Sequence, residues 1–109
     1  MPFQILDTEE PRRLRLVGDL DFQNSTVARD VLLQRCEVGE DLYLDLSGLN
    51  FIDSSGVRVF ITAFLKLKPR GARLVLSSPN ATIRRLFDLL GLTANGIVLQ
   101  EASSQTGSG

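Results

Sequence analysis

The chain has 109 residues, of which 43% are hydrophobic and 23% are charged, and its formal net charge at pH 7 is −1. This composition is typical of one globular domain, and no apolar run approaches the roughly 18 residues of a membrane span. We therefore expect no membrane insertion. The 12 basic and 13 acidic residues of the chain are interspersed rather than clustered, so we expect no nucleic-acid partner. The chain has no histidine, which excludes Ser-His-Asp and Cys-His catalysis and metal sites that rely on imidazole.

The N-terminus and the cysteine content bear on the cellular setting. Residues 1–10 lack the basic region and apolar stretch of a signal peptide, and the single Cys36 cannot form an internal disulfide. These features predict a cytoplasmic protein. We expect no cofactor and no bound metal, although an enzyme that uses carboxylates alone remains possible.

The first third of the chain predicts a hairpin followed by a helix. Residues 3–7 and 13–18 are expected to form two strands around a polar turn, the second with the two-residue alternation of a half-buried strand. Asn24 or Ser25 can cap the helix, which should end near Cys36. The residues predicted to share its apolar face are Val27, Ala28, Val31 and Leu32.

The middle of the chain predicts a strand and a helix that is mostly covered. Residues 42–46 alternate as a strand, and the turn-forming residues 47–50 are expected to end it. The helix that follows should stop at residues 69–71, which contain proline and glycine. Its apolar residues form two adjacent stripes: Val57, Phe60, Ile61 and Phe64, and Val59, Ala63 and Leu67.

The last third predicts a strand at residues 73–76, a third helix, and a short strand at residues 97–99. Asn80 or Ser78 can cap the helix, and Gly91 suits its left-handed terminating position. Its inward residues are predicted to be Ile83, Leu86, Phe87 and Leu90.

These elements together predict an α/β fold. The order β-β-α-β-α-β-α-β implies a mixed sheet of about four to five strands, with parallel later strands and about three helices packed chiefly on one face. We expect a single domain over residues 1–101. Residues 102–109 contain only small and polar side chains and are expected to form a disordered tail.

The segment before the second helix carries the most chemistry. Asp53 or Ser54 can serve as its N-cap, which leaves Ser55 in the first turn, where the helix dipole tolerates a phosphate. Gly56 would allow the backbone of a partner to approach closely. The alternative is that Asp-Ser-Ser-Gly is only a helix cap followed by a tight packing position.

Three stretches of the sequence, one of which contains this segment, resemble a known protein family. DLSGLNFIDSSGV (residues 45–57) closely resembles the signature of STAS domains, above all the bacterial anti-sigma factor antagonists. GDLD (residues 18–21) is similar to that family's acidic turn, and IRRLFDLLGL (residues 83–92) is similar to its third helix. The resemblance covers most of residues 3–100 and implies a STAS-type fold.

The resemblance also implies a function for the second serine of the motif. Ser55 matches the family's phosphorylated serine. The unphosphorylated domain would bind an anti-sigma factor, usually a serine kinase, and release the sigma factor; phosphorylation would reverse this, and a phosphatase would restore binding. The expected partner-binding residues are Asp19, Asp21, Asp53, Ser54, Gly56, Val57 and Arg58.

Other roles stay open at this point. Within the family, the chain could be an accessory subunit of a lipid-transport ABC complex or a stressosome component. An enzyme with Ser54 or Ser55 as nucleophile is disfavoured, since neither a Gly-x-Ser-x-Gly elbow nor an activating histidine is present. We expect the protein to be no enzyme, and to be a monomer or a weak homodimer.

Overall fold

A computed structural model describes residues 2–101 of the protein, and its elements follow the predicted order. The expected tail, residues 102–109, lies outside the described residues. Among residues 2–101, no helix combines the length and the apolar character needed to cross a bilayer. The elements are β1 (Gln4–Asp7), β2 (Arg13–Leu20), α1 (Ser25–Cys36), β3 (Leu42–Ile52), α2 (Ser54–Leu67), β4 (Leu74–Ser77), α3 (Ala81–Leu90) and β5 (Val98–Gln100).

The five strands form one mixed sheet in the order β1-β2-β3-β4-β5. β1 pairs antiparallel with β2, and the other three pairs are parallel, as predicted. Alternate residues of β2 and β3 are buried, whereas the residues between them are mostly half-exposed. The sheet residues that enter the same core as the helices include Leu14, Leu16, Leu42, Leu44, Leu46, Leu74 and Leu76.

The prediction that residues 47–50 end the third strand is wrong. β3 continues to Ile52 because β2 also extends to Leu20 and supplies backbone partners along this stretch. The pairing of β2 with β3 has two register irregularities, which allow residues 47–50 to stay within the strand. Gly48 lies opposite Val17 at the first of them. The longer strand brings the residue after Ile52, Asp53, directly beside the end of β2.

The helices bury narrower faces than the apolar patterns predict. In α1 the buried residues are Ala28, Leu32 and Cys36, spaced four apart, so Val27 lies on an adjacent face and is 64% exposed. Ile61 in α2 and Leu90 at the end of α3 are also exposed. The remaining residues predicted to be inward in α2 are buried, namely Val57, Val59, Phe60, Ala63, Phe64 and Leu67.

The ends of α3 match the sequence predictions. The side chain of Asn80 accepts a hydrogen bond from the backbone N–H of Ile83 at 2.8 Å, which identifies Asn80 as the N-cap. Gly91 follows the helix with φ of 67°, a left-handed conformation that glycine adopts without a Cβ clash.

Candidate functional site

Asp53 is the N-cap of α2. Its Oδ1 accepts hydrogen bonds from the backbone N–H groups of Ser55 at 2.9 Å and Gly56 at 3.1 Å. Its carbonyl oxygen accepts the first helical bond, from the N–H of Val57 at 3.0 Å. Two of the backbone donors at this helix end are therefore satisfied by the protein's own carboxylate.

Asp53 also joins α2 to the loop between β2 and α1. Its Oδ2 accepts a hydrogen bond from the N–H of Phe22 at 3.1 Å, and its own N–H donates to the carbonyl of Leu20 at 3.3 Å. One aspartate thus caps a helix with one oxygen and holds a loop with the other. Asp21 lies between Leu20, the last residue of β2, and Phe22, so the acidic turn is adjacent to the start of α2.

Asn24 organises the acidic turn itself. Its side-chain oxygen accepts a hydrogen bond from the N–H of Asp21 at 3.0 Å, and its amide donates to the carbonyl of Asp19 at 2.8 Å. Asn24 precedes α1 but makes no side-chain cap to that helix. Its predicted role as a helix cap is therefore replaced by a role in fixing the turn.

Gly56 and Val57 are buried, which changes their expected part in the site. A Cβ on Gly56 would lie 2.7 Å from the carbonyl oxygen of Leu20 and 2.6 Å from Cγ1 of Ile52. Glycine is needed here because α2 approaches the ends of β2 and β3, rather than because a partner approaches Gly56. The side chain of Val57 lies in the core, so Gly56 and Val57 position the start of α2 through buried contacts.

Ser55 is half-buried and lines an open groove between α1 and α2, with a volume of about 220 Å³. Among residues 2–101 the hydroxyl group of Ser55 makes no hydrogen bond, and Ser55 is one of the residues that line the groove. The groove is lined by Phe22, Ser25, Thr26, Arg29, Ser55, Arg58, Val59 and Thr62.

Ser54 and Arg58 are exposed beside Ser55. Both line a neighbouring recess together with Val57, Ile61 and Leu90, so the outer surface of this helix end is partly apolar. Ser54, Ser55 and Arg58 are thus the predicted site residues that present atoms to solvent on α2.

Several groove residues were missed by the sequence analysis. Phe22 has 78% of its surface exposed, and Arg29 reaches the groove from α1, which is separated from α2 in the sequence by the whole of β3. Phe22 directly follows the acidic turn, and a large apolar residue between polar neighbours is a signal that the sequence contains. No feature of the sequence around Arg29 identifies it as a site residue, because its proximity to Ser55 depends on how α1 packs against α2.

No group of three or more metal-ligating side chains is present in the described part of the chain. Neither oxygen of Asp53 is free of a backbone donor, so this carboxylate is occupied as a structural acceptor. The carboxylate two residues before Ser55 therefore has a structural role, in which it holds the first turn of α2 and the loop before α1.

Comparison with known proteins agrees with the family pattern. The STAS domain model matches residues 4–102. The chain is 31% identical over 88 residues to the anti-sigma-B factor antagonist of Bacillus subtilis, covering 81% of each protein. It is 33% identical over 82 residues to the anti-sigma F factor antagonist of Paenibacillus polymyxa, covering 72% of this chain and 69% of that protein.

Solved structures support the same fold. The anti-sigma factor antagonist SpoIIAA in its unphosphorylated form superposes with a TM-score of 0.70 at 21% identity, covering 95% of this chain and 92% of that one. The phosphorylated form of SpoIIAA from Bacillus gives a TM-score of 0.70 at 23% identity, covering 93% and 91%. The resemblance read from the three sequence strings is confirmed, and the chain belongs to the STAS domain family.

Proposed function

We propose that this protein is an anti-sigma factor antagonist whose binding is switched off by phosphorylation of Ser55. The observation that carries this proposal is the identity of 31% and 33% to two proteins named as such antagonists. In the proposed cycle, the unphosphorylated chain binds an anti-sigma factor in the cytoplasm and so frees the sigma factor.

The surroundings of Ser55 support its role as phosphate acceptor. Its hydroxyl lies in an open groove, and the nearby Asp53 is engaged by backbone donors rather than poised as a base. A kinase would transfer the γ-phosphoryl group of ATP to Oγ of Ser55, breaking the bond to ADP. The hydroxyl proton would pass to a base on the kinase. The chain is therefore proposed to be a substrate and ligand, not an enzyme.

Charge provides the physical basis of the switch. A phosphate adds about −1.5 to −2 charges at pH 7. At about 4 Å from an acidic group of the partner, and at an effective dielectric of about 20, repulsion is roughly 4 kcal/mol per unit pair. Since about 1.4 kcal/mol changes affinity tenfold, even the fraction of this repulsion that remains after screening by solvent and salt would release the partner.

The proposed partner surface follows from exposure. It comprises the exposed or half-exposed residues around Ser55, while Gly56 and Val57 support them from the interior. The outward residues of the surface are Asp19, Asp21, Phe22, Ser54, Ser55 and Arg58.

The direct test uses candidate anti-sigma kinases from the same genome, with intact mass as the measurement. We expect one phosphate on the wild-type chain and on Ser54→Ala, and none on Ser55→Ala, because Ser55 lines the groove and Ser54 does not. Ser55→Ala should still bind the kinase. Phosphate mapped to Ser54 would contradict the assignment.

The partner itself is tested by calorimetric titration. Ser55→Asp should stay folded and bind the anti-sigma factor at least tenfold more weakly, because a charge in an interface suited to a neutral hydroxyl carries like-charge and desolvation penalties. Unchanged affinity of folded Ser55→Asp would reject a charge-operated switch. Capture of a transporter ATPase instead of a kinase would reject the antagonist role.

A further inference from the structure

The groove beside Ser55 has a basic, hydroxyl-rich lining. We propose that Arg29 and Arg58 hold the phosphate of phosphorylated Ser55 in this groove, so that the chain binds its own modification. This inference rests on the proposed phosphorylation of Ser55 and adds the residues that receive the phosphate. Both arginines line the groove that contains Ser55, and no acidic side chain is among its lining residues.

Helical spacing places the groups on facing surfaces. In α2, Ser55 and Arg58 are three residues apart and therefore lie on the same face of the helix. Arg29 lies on the facing side of α1, one turn after Ser25 and Thr26, which also line the groove. The phosphate would thus extend from α2 into a space bordered by two guanidinium groups and several hydroxyls.

Two of the N–H donors at the start of α2 are already engaged. The N–H groups of Ser55 and Gly56 already bond to the carboxylate of Asp53, which also places a negative charge two residues before Ser55. These two N–H groups are therefore not available to a phosphate on Ser55 while Asp53 caps the helix. A dianion at Ser55 needs compensating charge from side chains, and the groove supplies two arginines.

Both arginines can reorient towards a phosphate. Arg58 is exposed and makes no ion pair among residues 2–101. Arg29 pairs with the adjacent Asp30 at 3.2 Å, and both side chains are largely solvent-exposed. Such exposed pairs contribute little to stability, so Arg29 can exchange Asp30 for a phosphate. Guanidinium groups bind phosphate oxygens through paired hydrogen bonds, which lysine cannot match in geometry.

This arrangement gives phosphorylation a second effect on binding. Arg58 lies on the proposed partner surface, and its attraction to the phosphate would withdraw a positive charge from that surface. The modification would therefore add a negative charge and remove a cationic contact in one step. The off state would be stabilised within the chain, with no rearrangement of the sheet or of the helix backbone.

The test installs phosphoserine at position 55 during translation, so that it depends on no kinase. Phosphorus NMR then follows the second ionisation of the phosphate, whose pKa is ordinarily about 6. In the folded protein we expect this pKa to lie at least about half a unit below its value in the same phosphoprotein unfolded by urea, because nearby cations favour the dianion. Arg29→Gln and Arg58→Gln should each reverse part of the shift, and the double variant most of it.

Arg85→Gln is the matched control, since Arg85 is an exposed arginine on α3 outside this groove. It should leave the phosphate pKa as in the wild type, and circular dichroism checks that every variant is folded. Equal phosphate pKa values in the wild type and the folded double variant would overturn the proposal. Failure of every kinase to modify Ser55 would instead count against the proposed function and leave this measurement intact.

Discussion

Asp53 shows how much of this site depends on a single residue. It accepts hydrogen bonds from the N–H groups of Ser55, Gly56 and Phe22, so it fixes the first turn of α2 and the preceding loop together. Capping aspartates commonly satisfy one or two helical donors. The additional bond to Phe22 is what places the acidic turn beside the serine.

Gly56 is required by packing against the sheet. Replacing glycine with alanine inside a helix usually stabilises by up to about 1 kcal/mol. Gly56→Ala should do the opposite and lower the free energy of unfolding by about 1 to 2 kcal/mol, because the new Cβ overlaps backbone and core atoms that cannot move freely. Urea denaturation measures the difference.

Ser54→Ala is the control for this substitution, since Ser54 is exposed in the same helical turn. Its free energy of unfolding should stay within about 0.5 kcal/mol of the wild type. A Gly56→Ala variant as stable as the wild type would show that α2 can shift away from β2 and β3, and would remove the packing explanation for this glycine.

At the scale of the elements, β3 is fastened to both neighbouring strands by carboxylates. Asp41, just before β3, accepts from the N–H of Arg73 at 2.8 Å and from its guanidinium at 2.9 Å, which ties the starts of β3 and β4. Asp45 accepts from Arg15, its partner in register on β2, at 3.1 Å. Both contacts need the ionised carboxylate.

These contacts predict acid sensitivity. The hydrogen bond from the backbone of Arg73, followed by that from its side chain, lowers the pKa of Asp41. Burial alone would raise the pKa of Asp45, but hydrogen bonds from Ser47 and Arg15 outweigh it and lower the pKa. A lowered folded-state pKa means that the stabilisation is complete above the unfolded-state pKa, about 3.9 for aspartate, and is lost as the pH falls below it.

We therefore expect the free energy of unfolding to decrease as the pH falls below about 4, and to decrease less steeply in the Asp41→Asn, Asp45→Asn double variant. Urea denaturation between pH 2.5 and 6 measures both slopes. Arg73→Gln is the matched test of the Asp41 contact, since it removes the guanidinium donor and should also flatten the slope. Identical slopes in all three proteins would contradict this assignment.

At the scale of the whole molecule, the core and the site use different aromatic residues. Phe60 of α2 and Phe87 of α3 are buried and meet edge to face, with ring centroids 6.2 Å apart. Phe22 is largely exposed and lines the groove that contains Ser55. The contact between Phe60 and Phe87 joins α2 to α3 in the core, whereas the ring of Phe22 is available to a partner.

This separation predicts opposite consequences for two similar substitutions. Phe60→Ala should lower the free energy of unfolding by about 3 to 5 kcal/mol, a large share of the roughly 5 to 15 kcal/mol that stabilises a domain. Phe22→Ala should change it by less than about 0.5 kcal/mol and should weaken binding to the anti-sigma factor. Thermal melts and calorimetric titration measure the two effects. Full affinity in Phe22→Ala would exclude this ring from the interface.

The order and type of the elements followed from local sequence. Alternation in β2, the apolar stripes of α2, and the glycine and proline signals at helix ends depend on neighbours within a few residues, so each could be predicted without the fold. The three family strings likewise located Ser55 and the acidic turn. The length of β3 could not be predicted in this way, because its last residues are held by pairing with the extended end of β2.

The motifs and local apolar patterns were enough to predict a STAS-type fold and to locate a serine at the start of the second helix. The residues that surround this serine could not be predicted in the same way. Arg29 and Phe22 reach the groove because α1 and its preceding loop pack beside α2, and Gly56 is needed because α2 lies against two strand ends. Such contacts join residues far apart in the chain, and no local periodicity or motif encodes the distance between them.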